Sequence, residues 1–269
     1  MAGLGRQPLD RAEKRRIQRE DAKWIGKPLV LNRGPRPFEA NVRHLVGLLR
    51  DTTRPHRASE AATFAQTLYE RTLPSLKPPP VACAKGCAHC CNTFVTIIPA
   101  EAFRVARHAR SRDGVAARIT ETYAATSKIA QHERWKSKVP CALLEADICS
   151  VHAMRPLTCR GCVSTSADVC FRIYIEGKEE NPPFLLEYNS VCTATAAILS
   201  AALKLVGLPY RSLDWSGALA AAVVSADSEE RWLAGEDVFA AVEVGSGTRA
   251  GTPFDNMIEE LAANIAPTL

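Results

Sequence analysis

The stretch Cys83-Ala-Lys-Gly-Cys87-Ala-His-Cys90-Cys91 places four thiols in a run of nine residues. Thiols this close together form disulfides, bind metal or remain as a reactive surface. Residues three and four apart share one face of a helix, so a helical run would line up all four sulfurs. If Gly86 breaks the run instead, Cys87 and Cys90 still form a tight turn that can hold a metal. Both conformations bring the sulfurs together, so this stretch predicts a thiol site.

The adjacent pair Cys90 and Cys91 carries further information. The side chains of neighbouring residues diverge, so the two sulfurs rarely serve one tetrahedral ion without strain. A vicinal pair with more cysteines nearby therefore favours a polynuclear site over one isolated zinc ion.

A second group of cysteines begins well after the first, and it consists of several short motifs. In chain order they are Pro140-Cys141-Ala-Leu-Leu, Cys149-Ser-Val, Arg155-Pro156-Leu-Thr-Cys159-Arg160-Gly-Cys162 and the later Cys170. Helical patterns cover residues 99–111 and from 115 to about 134, between the two groups. These two helices can fold back as a hairpin, so we expect the two groups of cysteines to meet.

This order of motifs resembles the YkgJ-type cysteine-cluster family, which has the signature CxxCxxCC and is described as zinc- or iron-chelating. The resemblance covers roughly residues 80–172 and implies a bacterial origin. It also implies eight metal ligands, which are Cys83, Cys87, Cys90, Cys91, Cys141, Cys149, Cys159 and Cys170.

The chain departs from the family pattern at His152 and Cys162, where aromatic residues are usual. Cys162 is either a further ligand, which would complete a second Cys-x2-Cys pair, or a small buried residue. Cys192 lies on a predicted helix, and we expect it to pack as a buried thiol. We expect His89 to support the site or to pack, because eight cysteines already suffice as ligands.

The spacing does not choose between zinc and iron. Cysteine-ligated zinc sites are closed and tetrahedral, and iron–sulfur clusters use four thiolates each, so eight thiolates suit two cubanes, two zinc ions or a mixture. Thiolate ligation leaves excess negative charge around a divalent cation. Three cations close to the cysteines could offset it: Lys85, Arg155 and Arg160.

Composition places the chain among soluble globular proteins, with 46% hydrophobic and 23% charged residues. Residues 1–24 have no apolar segment typical of a secretory signal, and no apolar run approaches the ~18 residues of a membrane span. We therefore expect a cytoplasmic protein with no membrane partner. In that reducing compartment, clustered thiols favour metal over disulfides.

The positive charge is concentrated at the beginning of the chain. Residues 1–36 predict a basic, flexible arm that could contact an acidic partner. The remainder has no second basic patch with interleaved aromatic residues, so nucleic-acid binding is not expected.

The predicted fold is mainly α, with a small irregular β hairpin and a cysteine-rich metal subsite packed on helices. Helical spacing appears at 38–50, 58–73 and 191–205, and the β-branched run at 93–98 predicts a short strand. The predicted divisions are a basic arm at 1–36, a helical lead-in at 37–79, a cysteine-cluster metal-binding domain at 80–172 and a helical region at 173–269.

Three functions are compatible with these features. The first is a cytosolic metal-binding protein that chelates zinc or iron, or holds an iron–sulfur cluster. The second, which the family resemblance suggests, is an enzyme related to the flagellin lysine N-methylases. Such an enzyme would use an iron–sulfur cluster. The third is a redox or interaction module. No catalytic motif stands out beyond the cysteines, so the sequence predicts no catalytic residue.

Overall fold

The computed structural model describes residues 9–31 and 34–269, and it is mainly α-helical, as the sequence predicts. The α-helices in these ranges are α1 (Arg11–Asp21), α2 (Arg36–Arg50), α3 (Arg57–Thr72), α4 (Ala100–Arg110), α5 (Val115–Thr126), α6 (Leu157–Gly161), α7 (Ala167–Tyr174), α8 (Leu186–Leu205), α9 (Trp215–Val223), α10 (Ser228–Leu233) and α11 (Pro253–Ile265).

Four short strands form two small antiparallel sheets in the described ranges. They are β1 (Thr96–Ile97), β2 (Leu144–Glu145), β3 (Ile148–Cys149) and β4 (Leu213–Asp214). β1 pairs with β4, and β2 pairs with β3 as a hairpin. In the hairpin Leu144 lies opposite Cys149. This is the small β hairpin that the sequence predicts.

Helix α8 forms the centre of the hydrophobic core. It packs against α2, α3, α6 and α11, and most of its residues after Val191 are buried. A helix surrounded in this way is apolar on nearly every face, which explains its long run of alanine, leucine and isoleucine. Within the described ranges, none of the helices combines the length and the apolar character needed to cross a membrane.

Helix α5 is shorter than predicted, since it ends at Thr126 and not near residue 134. Residues 131–137 instead form a 3-10 turn, and Arg134 in that turn points inward to pair with Asp214. The tertiary ion pair thus replaces the last helical turns. The segment 138–172 likewise contains two short helices, α6 and α7, where the sequence predicts one.

The predicted basic arm lies partly outside the described residues, namely at 1–8 and at 32 and 33. Its described part contains α1, which begins with a capping box between Asp10 and Glu13. Asp21 at the end of α1 accepts two hydrogen bonds from Arg43 of α2, at 2.7 and 2.8 Å. Leu29 is buried and belongs to the main hydrophobic core.

Candidate metal centre

The first cysteine run is not a continuous helix. Gly86 has a φ of +88°, a left-handed conformation that glycine adopts without strain, and it turns the chain between Cys83 and Cys87. A 3-10 turn then covers His89–Asn92. The structure therefore adopts the second of the two conformations predicted from the sequence.

A backbone hydrogen bond joins the two cysteine groups. The N–H of Cys141 donates to the carbonyl oxygen of Cys91 at 2.8 Å. The β2–β3 hairpin follows at once and carries Cys149 on its second strand. The two groups of cysteines therefore meet, as predicted.

Helix α6 presents Cys159, and a buried carboxylate holds the start of this helix. Glu101 of α4 accepts a hydrogen bond from the N–H of Leu157 at 2.8 Å. It also accepts one from the N–H of Ile98 at 3.1 Å and one from the amide of Gln66 at 3.1 Å. Glu101 is only 2% exposed. From the sequence it is simply an acidic residue in the first turn of a helix, so its contact with α6 was not foreseeable.

The cysteines converge on one cavity of about 780 Å³. Eight of them line it: Cys83, Cys87, Cys90, Cys91, Cys141, Cys149, Cys159 and Cys162. Seven of these eight are predicted ligands, and the eighth is Cys162. Cys170 and Cys192 are not among the lining residues.

Four thiols form what we call the inner group: Cys91, Cys141, Cys149 and Cys159. Cys91 and Cys159 each interact electrostatically with Cys141, and Cys141 interacts with Cys149. The backbone bond between Cys91 and Cys141 and the hairpin that carries Cys149 agree with this grouping.

Five further thiols form the outer group: Cys83, Cys87, Cys90, Cys162 and Cys170. Cys87 and Cys170 each interact with Cys83 and Cys90. The sulfur of Cys83 accepts a hydrogen bond from the N–H of Ser164 at 3.4 Å, close to Cys162 in the chain. Cys90 also interacts with Cys91 and Cys159, and Cys162 interacts with Cys159, so the two groups are in contact through these thiols.

The thiols in the cavity differ in acidity. Hydrogen bonds from the thiols of Cys162 and Cys91 lower the pKa of Cys90, and the same contact raises the pKa of both donors. Burial raises the pKa of Cys159 and of Cys141, although both keep some contact with solvent. Most of these groups are therefore neutral thiols near neutral pH, and a metal that binds them must displace protons.

Two of the three predicted charge-balancing cations, Lys85 and Arg155, line the cavity. Arg160 is committed to Glu70 at 2.5 Å and to backbone carbonyl groups. Lys85 is exposed. Arg155 lines the cavity, and among the described residues its side chain makes no hydrogen bond or ion pair. The positive charge of Arg155 lowers the pKa of Cys159, against the larger upward effect of burial.

Cys192 lies outside the cavity and packs beneath α6. A Cβ atom added at Gly161 would stand 2.6 Å from the Cβ of Cys192. Burial raises the pKa of Cys192 to about 12. His89 stacks edge-on against Phe171, and His152 is exposed.

The ten cysteines of the chain all fall in the described ranges, and all are free thiols. Soft thiolate ligands suit zinc and iron better than magnesium or calcium, so the donor set fits either of those metals. In the same ranges, no three histidine, cysteine, aspartate or glutamate side chains already stand close enough to hold an ion.

Sequence reasoning missed a part of the cavity wall that contains no cysteine. Arg134 and Asp214 form a buried ion pair there at 3.4 Å, and Trp215 lies beside the sulfur of Cys141. No local pattern marks these residues, because each is brought in by a distant part of the chain.

No curated protein and no solved structure matches this chain. A family model does match part of it, over residues 82–192, which is less than half of the chain and contains all the cysteines described above. The cysteine-lined segment of this protein thus matches the CxxCxxCC family, described as a putative zinc- or iron-chelating domain.

Proposed function

We propose that this chain binds zinc or iron through the thiols that converge on its cavity. The observation that carries the proposal is this convergence, because two cysteine groups far apart in the sequence meet without forming a disulfide. The proposed ligands are drawn from the eight predicted cysteines and Cys162.

We further propose two metal sites, one for each group of thiols. The inner group supplies four sulfurs, which is the number that a tetrahedral zinc site or a cubane uses. The outer group supplies five, so either Cys162 or Cys170 is not a ligand there. The division between Cys90 and Cys91 accords with the divergence of neighbouring side chains. Zinc would supply structural support at these sites, and an iron–sulfur cluster would supply one-electron transfer.

Arg155 supports the proposal through its charge. Four thiolates around a divalent cation carry excess negative charge, and a nearby guanidinium lowers the cost of holding it. Arg155 has no carboxylate partner among the described residues and acts on Cys159. We therefore assign it to the inner site as a balancing charge.

We place the protein in the bacterial cytosol. The resemblance in the cysteine motifs supports the bacterial origin, and a reducing compartment keeps clustered thiols available for metal.

Serine variants of the two groups test the proposal. In full-length protein prepared without oxygen, Cys141→Ser with Cys149→Ser should remove the metal of the inner site and leave the outer one. Cys83→Ser with Cys87→Ser should do the reverse. Cys192→Ala serves as the control and should keep all metal, because Cys192 belongs to neither group of thiols and packs against Gly161 of α6.

Metal per chain is measured by elemental analysis for each variant. Equal metal content in all three variants would contradict the ligand assignment. Single variants Cys162→Ser and Cys170→Ser then decide the fourth ligand of the outer site, since only the true ligand should reduce the metal content.

A further inference from the structure

The cavity has a second wall beside the thiols, which we call the arginine wall. It consists of Phe94, Val95, Thr126, Arg134 and Trp215. The whole cavity of about 780 Å³ is the size of small-molecule pockets, which span about 300–1,000 Å³. Metal ions bound at cysteines do not require this wall, so it has room for a separate ligand.

Arg134 is a buried cation with few partners. Its side chain is 5% exposed, and it makes one ion pair with Asp214 at 3.4 Å. It also lies over the ring of Phe94 at 5.7 Å. Its Nε has no hydrogen-bond partner among the residues that the structure describes. A guanidinium carries five N–H donors, and buried donors without acceptors cost free energy. The Nε–H of Arg134 is therefore available to donate a hydrogen bond to a further acceptor group.

Asp214 does not satisfy all the hydrogen-bond donors of Arg134. The same carboxylate oxygen that faces Arg134 also accepts a hydrogen bond from the N–H of Gly217 at 3.0 Å. That N–H belongs to the first turn of α9, where the helix dipole is positive. Asp214 therefore pairs with one nitrogen of Arg134 and leaves its Nε–H without an acceptor among the described residues, so the arginine wall keeps a donor for a further ligand.

The surroundings of Arg134 determine which kind of anion fits. Phe94 lies under the guanidinium, and Val95 and Trp215 add apolar and aromatic surface to the same cavity. Arginine binds carboxylates with two parallel hydrogen bonds. We propose that the cavity binds a small carboxylate with an apolar body, whose carboxylate pairs with Arg134 and whose apolar part packs on Phe94 and Trp215. This site goes beyond metal binding and does not depend on it.

Benzoate and benzamide are matched probes for this site, because they differ in charge and hardly in shape. Binding of each to the full-length protein is measured by calorimetry. Hydrogen bonds to a charged group contribute more than neutral ones, so benzoate should bind at least about tenfold more tightly than benzamide. Equal affinity for the two probes, or no binding of either, would overturn the proposal.

A charge-neutral exchange tests the role of Arg134. Arg134→Gln with Asp214→Asn keeps the net charge and similar shapes, and it should abolish the preference for benzoate. The partly exposed pair Arg112 and Glu145, at 2.8 Å, gives the matched control, since exchanging both for glutamine should leave the preference intact. A preserved preference in the Arg134 variant would contradict the assignment.

Two further measurements keep the test decisive. If the double variant does not fold by circular dichroism, Arg134→Lys replaces it, which keeps the charge but loses the planar fork and should weaken the preference. Metal content is measured on the same samples. A metal-free protein that still prefers benzoate would refute the proposed metal binding and leave the carboxylate site standing. A metal-loaded protein without the preference would refute the carboxylate site and leave metal binding standing.

Discussion

Replacing Glu101 by alanine should loosen the helix that presents Cys159. The carboxylate of Glu101 accepts hydrogen bonds from the backbone of Leu157, from the backbone of Ile98 and from Gln66. Alanine would leave these donors buried without an acceptor. The start of α6 would then lose the carboxylate that accepts the N–H of Leu157.

The magnitude follows from those contacts. Each buried donor left unsatisfied costs about 1–3 kcal/mol, and three of them give a large gross loss. Burial raises the pKa of Glu101, which means that holding the carboxylate already costs free energy, so part of the loss is recovered. We expect Glu101→Ala to lower the free energy of unfolding by about 3 kcal/mol, in the upper part of the range for single substitutions.

The assay is urea unfolding followed by circular dichroism, together with the rate at which a chelator removes metal. Glu121→Ala is the control, because Glu121 is exposed on α5 and makes no hydrogen bond among the described residues. The control should stay within about 0.5 kcal/mol of the wild type, as surface substitutions usually do. If Glu101→Ala unfolds like the control and keeps its metal as firmly, the role assigned to this carboxylate is wrong.

Three further predictions concern the same region. Gly161→Ala should destabilise the protein by about 1–3 kcal/mol in thermal unfolding, because the new Cβ meets Cys192, whereas Gly47→Ala has open space and should not. Tyr69→Phe removes a hydrogen bond from the phenol to the carbonyl of a residue in α6, at 2.7 Å, and should cost about 1 kcal/mol in urea unfolding. The raised pKa of Glu101 means that its folded form binds more protons than the unfolded form, whose reference pKa is 4.5, so its contribution is complete at low pH and falls as pH rises. Relative to Glu101→Gln, the wild type should lose stability as the pH rises above 4.5, and parallel stability curves would argue against this.

The sequence predicts the helices and the cysteine site because both leave strong local signals. The apolar spacing around Val191 identifies α8, and the glycine at position 86 breaks the first cysteine run as one of the two alternatives requires. Cysteine is rare and chemically specific, so its clustering points to thiol chemistry without knowledge of the fold.

The sequence does not predict contacts that depend on distant segments. Arg134 and Asp214 are 80 residues apart, and the helical pattern before Arg134 favours a longer α5 than the one observed. The meeting of the two groups of cysteines likewise arises only when the hairpin and α6 pack against the first run. Tertiary contacts of this kind override local preference, because helix propensity contributes less than about 1 kcal/mol per residue.

The most direct test of the account is the metal and acid-labile sulfide content of the full-length protein purified without oxygen. The account predicts stoichiometric zinc or iron, with sulfide and absorption near ~400 nm if iron–sulfur clusters are present. It also predicts loss of part of this metal on replacement of Cys141 and Cys149 by serine. Protein that carries no zinc or iron and still has its full helical structure and stability would contradict the central claim.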